Sequence, residues 1–186
     1  MKILYRSLGF VAVLALSTLL PSCDKVKDAV RINIPTQTVN ADFEIQKISA
    51  AGTVQEVGFQ WGYNLDSVIK VSNPDLGIKN IKKAKVKSIV LKLNNATQDN
   101  SWAAFSSCEA GFSTNLNAGT YVSFASLSSI ADQYSVSLDI PVKDVDLKDY
   151  LASTAFYYKL IATARRATTA NLNGTATIKF DIEVGL

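Results

Sequence analysis

The sequence contains no histidine, and its 186 residues include only two cysteines, one methionine and a few glutamates. Without histidine, the usual Ser-His-Asp and Cys-His catalytic arrangements are excluded, and so are metal sites that depend on imidazole ligands. The nucleophile-elbow pattern and the glycine-rich phosphate-binding motifs are also missing from the sequence. We therefore expect a protein that is not an enzyme and that uses no cofactor.

The composition is that of a globular domain, since 48% of the residues are hydrophobic and 19% are charged. This apolar content excludes a disordered tail or a low-complexity linker, and the length suits one domain. The formal net charge is +3, and Lys2 and Arg6 supply two of these charges at the N-terminus. Nothing in the charge balance predicts a nucleic-acid partner.

The N-terminus has the features of an export signal. Lys2 and Arg6 provide positive charge, Leu8–Leu20 is an apolar run, and a short segment then leads to Cys23. The run is shorter than the roughly 20 apolar residues that a membrane-spanning helix needs. A buried N-terminal helix is the alternative interpretation.

The segment Leu20-Pro21-Ser22-Cys23 resembles the lipobox of bacterial lipoproteins. The resemblance implies that residues 1–22 are a signal peptide that is removed, that Cys23 receives a diacylglycerol, and that residues 23–29 tether the protein to a membrane of the bacterial cell envelope. Several acyl chains anchor a protein stably where a single chain does not. The alternative is a secreted soluble protein in which Cys23 carries no lipid.

Apolar and polar residues alternate with a period of two over much of residues 30–186, most clearly between Gly174 and Leu186. Further strands are expected at Val30–Ile34, Asp42–Gln46, Val57–Tyr63, Val86–Leu93, Trp102–Phe112, Thr120–Ala125, Ser135–Ile140 and Phe156–Ala162. The pattern predicts a single all-β domain, an antiparallel β-sandwich of about seven to nine strands, with a barrel as the alternative. The residues after Cys23 also resemble, in composition, uncharacterised β-sandwich lipoproteins of the Bacteroidota.

Local signals predict where these strands end. Pro35 is expected to end the first strand, and the pair Asn173-Gly174 is expected to form a turn because both positions accept positive φ. Two short helices are expected, at Asn64–Ile69 and Asp144–Leu151.

Three aspartates fall in the second predicted helix, at Asp144, Asp146 and Asp149. Capping of the helix explains the first two, and we favour it. A calcium site is the alternative, since calcium binds several carboxylate oxygens, but the glycine and the last glutamate of an EF-hand loop are missing.

Cys108 is the only free thiol if Cys23 is acylated. We expect Cys108 to be a small buried hydrophobe, as free cysteine usually is, rather than a reactive or intermolecular thiol.

Six lysines occur in one stretch with no acidic residue among them: Lys79, Lys82, Lys83, Lys85, Lys87 and Lys92. The favoured interpretation is an exposed edge strand whose lysines prevent pairing with another sheet. The other is a contact with anionic lipid headgroups or an acidic glycan, with Lys83, Lys85 and Lys87 as the contact residues. Lys85 and Lys87 are expected to share one face of a strand.

Most aromatic side chains are expected in the core, because Trp61 and Tyr63 share a predicted strand face with Val57. Trp102 follows the polar segment Asn94–Asn100, so it is the candidate for an exposed aromatic ring that contacts a glycan or another partner.

These observations predict a membrane-anchored, non-catalytic module that binds an envelope protein or a glycan. The alternative is a structural or adhesin-like envelope subunit that assembles with copies of itself, for which Gly174–Leu186 is the only donor-strand candidate. An enzyme without histidine is the least favoured interpretation.

Replacing Cys23 with serine is expected to abolish lipid attachment, because the thioether forms on the cysteine sulfur. Labelling of cells with radioactive palmitate measures this attachment. The unaltered chain and a Cys108→Ala control should carry label, and Cys23→Ser should not. An unaltered chain without label would contradict the anchor.

Overall fold

A computed structural model describes residues 31–60, 64–113, 121–151 and 157–186 of the chain. Two four-stranded antiparallel sheets face each other, and their inward side chains form one hydrophobic core. The predicted all-β antiparallel sandwich is confirmed.

The described residues form eight strands: β1 (Arg31–Ile45), β2 (Val54–Gln60), β3 (Ile81–Leu93), β4 (Phe105–Ser113), β5 (Val122–Leu127), β6 (Ser137–Ile140), β7 (Tyr157–Ala164) and β8 (Leu172–Gly185). Sheet A has the strand order β1-β8-β3-β6, and sheet B has the order β2-β7-β4-β5.

The helices are short, as expected: α1 spans Leu65–Ser72 and α2 spans Lys148–Leu151. Asn64 caps α1 through its side-chain oxygen, which accepts a hydrogen bond of 3.0 Å from the Ser67 N–H. The second helix begins later than predicted, because Asp144, Asp146 and Leu147 contact β3 instead of continuing the helix.

Strand β8 lies inside sheet A, with β1 on one side and β3 on the other. Its apolar side chains, such as Ile178, Phe180 and Ile182, are buried, and the residues between them face outward. A shift of one residue in the pairing of β8 would turn its outward polar and charged side chains into the core. The register of this strand is therefore strongly specified.

Aromatic rings join the two sheets in the middle of the sandwich. Phe112 of β4 lies 5.9 Å, between ring centroids, from Phe180 of β8 in the opposite sheet. Within sheet B, Phe112 also contacts Phe124 at 4.7 Å and Tyr158 at 4.6 Å. Such tilted pairs add about 0.5–1.5 kcal/mol beyond the burial of their area.

Strand β1 continues through Pro35, so the prediction that this proline ends the strand is wrong. The register passes from Ile34 opposite Ile182 to Gln37 opposite Phe180, which places a β-bulge between Ile34 and Gln37. Proline has no N–H to give to a ladder, and a bulge is a position where a strand tolerates it.

Asn173 and Gly174 do not form a turn, because both lie inside β8, opposite Glu44 and Phe43 of β1. A Cβ atom at Gly174 would lie 2.7 Å from the Lys92 carbonyl oxygen and closer still to the ring of Phe43. The glycine is therefore explained by close packing within the sheet, and the connection from β7 to β8 is the loop of residues 165–171.

Gly174→Ala is expected to lower the free energy of unfolding by about 1–3 kcal/mol, because the methyl group meets a backbone carbonyl that cannot move freely. Urea denaturation followed by circular dichroism measures the change. Asn173→Ala, the neighbouring exposed position, is the control and should stay within about 0.5 kcal/mol. Equal stability of Gly174→Ala and the unaltered chain would contradict this packing.

Candidate functional site

The outer face of sheet A carries a groove of about 570 Å³. Three neighbouring strands line it: residues 33–36 of β1, Lys83, Lys85 and Val86 of β3, and residues 181–183 of β8. The groove lies near the start of β1 and the end of β8, which pair antiparallel.

β-Bulges in both neighbours of β8 surround this groove. On β1 the register shifts between Ile34 and Gln37, and on β3 it shifts between Ile81 and Lys83 and again between Val86 and Ser88. A bulge bends its strand and increases the local twist, and bulges are common beside functional sites. The bulges thus explain why this part of the sheet face is concave.

The two carboxylates of the groove stand on β8 and have partners on both neighbouring strands. Glu183 accepts a hydrogen bond of 2.8 Å from the guanidinium of Arg31. Asp181 accepts a hydrogen bond of 2.8 Å from the hydroxyl of Thr36, and the ammonium of Lys87 lies 3.7 Å from the same oxygen. Both acids therefore have a cationic partner within the protein.

The β3 side of the groove is cationic. Lys83 lies opposite Glu183 in the ladder, and Lys85 lies opposite Asp181. Lys85 forms an ion pair with Asp144, whose side chain is 78% exposed. The pKa of Lys85 is lowered, first by burial and then by the positive charge of Lys83. Lys83 and Lys85 stand two residues apart on β3, and both line the groove.

The structure brings the three predicted contact lysines, Lys83, Lys85 and Lys87, to this one region of the outer face. The favoured interpretation of an exposed edge strand is wrong, because β3 lies between β8 and β6. Beyond the end of β6, the N–H of Leu147 donates to the carbonyl oxygen of Ala84 at 2.7 Å and covers this edge of β3.

Asp146 and Asp144 fasten the same loop to β3. Asp146 accepts hydrogen bonds from the N–H of Ala84 at 3.1 Å and from the N–H of Lys148 at 3.0 Å. In the described ranges, no three acidic, histidine or cysteine side chains come together as a metal site. The contacts of these two aspartates are those of loop and helix-end residues.

Trp102 is not exposed, which contradicts its predicted contact role. Its side chain is 0% exposed, and its ring lies 5.4 Å from Phe105 and 6.3 Å from Phe43. The preceding polar segment folds inward: Asn100 is buried and its amide donates to the Thr169 hydroxyl at 2.7 Å. Because this segment binds to the loop between β7 and β8, the tryptophan is enclosed. None of the described residues that line the groove is aromatic.

Cys108 is buried, as predicted, with 1% of its surface exposed. Burial raises the pKa of its thiol to about 12. The thiolate is the reactive form, so this side chain is chemically inert in the folded protein.

A second depression of about 440 Å³ lies on the same face, near Asp42 and Asn94. Its polar side chains bind one another: the Thr175 hydroxyl donates to Asp42 at 2.8 Å, and the Asn94 amide donates to Thr175 at 3.3 Å. The groove beside Lys83 is therefore the stronger candidate.

Several predicted features lie outside the described residues, among them the lipobox with Cys23, and Trp61 and Tyr63. Among the helices of the described part, none has the length and hydrophobicity to cross a membrane. Sequence reasoning missed Thr36, Asp181 and Glu183 as members of the site. The alternation of β8 placed the two acids on a polar face, but only the register shows which cations they meet.

Neither a protein-family model nor a curated protein sequence matches the chain. Among solved structures, the decameric BFDV capsid protein is 8% identical, with a TM-score of 0.40 over 83% of this chain and 99% of that one. The Cocksfoot mottle virus structure is 11% identical, with a TM-score of 0.32 over 83% of this chain and 84% of that one. These values are too low to transfer any property of those proteins to this chain.

Proposed function

We propose that this protein is a non-catalytic binding protein, anchored through Cys23 in the bacterial cell envelope, that holds a glycan in the groove of sheet A. The groove itself is the observation that carries this proposal. It is a concave, three-stranded surface of about 570 Å³, within the range of ligand sites.

The chemistry of the groove suits a ligand rich in hydroxyl groups. Asp181 and Glu183 offer acceptor oxygens, the lysine ammonium groups donate, and Asn33 can do both. Rigid strands rather than loops carry these side chains, so their spacing is fixed before a ligand binds. Preorganisation of this kind reduces the entropy lost on binding.

A glycan is favoured over a protein partner by the distribution of apolar surface. The large hydrophobic side chains that are exposed in the described part lie on separate elements: Val54, Val71, Tyr134, Val142 and Leu186. None of them lines the groove. The buried centre of a protein–protein interface is typically depleted of charged residues, whereas four charged side chains line this groove.

Asn33→Trp should weaken glycan binding at least about tenfold, because the indole occupies the groove. Thr38→Trp is the matched control, since Thr38 is also exposed on β1 but lies outside the groove. A glycan array identifies a bound glycan, and titration calorimetry gives the dissociation constants. A protein that binds no glycan, or equal weakening by both variants, would overturn the proposal.

Self-assembly is a second candidate, and the length of β1 favours it. This strand of 15 residues lies at the edge of sheet A, and its ladder partner among the described residues is β8. A long edge strand can pair with another chain. Strand β8 does not serve as the donor strand suggested by its amphipathic pattern, because it pairs on both sides within its own sheet.

If β1 pairs between copies, sedimentation velocity of the full chain should show concentration-dependent oligomers, and Asn40→Lys should abolish them. Thr177→Lys is the control on the inner strand, because both substitutions remove the same hydrogen bond between Thr177 and Asn40. A chain that stays monomeric, or oligomers that survive Asn40→Lys, would exclude assembly through this edge.

A further inference from the structure

Positive and negative charges are distributed unequally between the strands that line the groove. Arg31 of β1 forms an ion pair with Glu183, and Asp181 is held by the hydroxyl of Thr36 from β1 and by Lys87 from β3. These contacts use the carboxylates of the central strand. Each carboxylate inside the groove therefore already has a cationic partner in the protein.

Lys83 remains on the opposite side. It is exposed, it lines the groove, and among the described residues no carboxylate forms an ion pair with it. Its neighbour Lys85 forms an ion pair with Asp144, its one carboxylate partner among the described residues, which lies on the largely exposed loop before α2. The β3 wall of the groove thus holds two neighbouring ammonium groups and one excess positive charge.

Building on the proposed function, we infer that the glycan held in the groove is acidic and that its anionic group binds between the ammonium groups of Lys83 and Lys85. An anion at this position removes the repulsion between the two lysines. Hydrogen bonds between ionised partners are roughly twice as strong as neutral ones. The hydroxyl groups of the sugar then face Asp181 and Asn33 on the other side of the groove.

The arrangement also predicts what the anionic group and the sugar ring of the ligand each contribute to binding. The carboxylates of β8 repel an anion, so the acidic group is confined to the β3 side and the sugar ring takes one orientation. The Lys83 ammonium then contributes selectivity for acidic over neutral glycans, whereas Asp181 and its neighbours contribute affinity for both.

The experiment compares matched glycans that differ only in charge. Full-length protein purified from membranes is titrated with uronic-acid oligosaccharides from the array and with their methyl esters. Phosphorylated glycans and their dephosphorylated forms make a second pair, which separates a carboxylate from a phosphate as the anionic group. We expect acidic members of at least one pair to bind about tenfold more tightly, which corresponds to about 1.4 kcal/mol.

Lys83→Met removes the charge and keeps most of the side-chain length, so it should weaken binding of the acidic form more than binding of the neutral form and thereby abolish this preference. Lys92→Met is the matched control, since Lys92 is exposed on the same strand but lies outside the groove. It should keep the full preference. Thermal denaturation of both variants checks that they remain folded.

The outcomes distinguish failure of the acidic-ligand inference from failure of the proposed glycan binding. If neutral and acidic members of both pairs bind equally, or if the preference survives in Lys83→Met, the acidic ligand is excluded while glycan binding stands. If none of the glycans binds to the folded protein, the proposed function fails and this inference fails with it.

Discussion

The structure depends on the placement of β8 in the interior of sheet A. The strand pairs on both edges and buries every second side chain, so its register is fixed by burial and by two ladders at once. Phe180 of this strand contacts Phe112 of the facing sheet. The position of β8 therefore also determines how the two sheets pack in the core. The same constraint holds Asp181 and Glu183 on the outer face, between the cations of both neighbouring strands.

The groove results from departures from regular pairing around this fixed strand. Regular antiparallel strands present an even face, but beside the last part of β8 strand β1 carries one extra residue and β3 carries two. Bulges cost ladder hydrogen bonds, and they persist where the surrounding structure stabilises them. Here the ion pair of Arg31 with Glu183 and the hydrogen bonds of Asp146 hold the bent segments on either side.

The fold was largely predictable because the alternation of apolar and polar residues is a local signal. The errors arose where contacts with residues distant in sequence determine the local structure. Gly174 lies within a strand because Phe43, far away in sequence, packs over it. Trp102 is enclosed because Asn100 binds Thr169 on another loop. The contact lysines were predicted from their clustering in the sequence. Which acids lie opposite them depends on the strand register, and register cannot be predicted from one segment alone. Pro35 shows the same limit of sequence-based prediction. Whether a proline ends a strand or lies in a β-bulge depends on the strand that pairs with it.

Strands β1 and β8 begin at residues 31 and 172, so the ladder between them joins nearly the two extremes of the described chain. Pairing over such a separation is slow, because loop-closure entropy is lost before the contacts form. Sheet A cannot be completed until the ribosome has synthesised its interior strand. During translation, β1 and β3 therefore remain without their shared partner strand until nearly the whole described chain has been made.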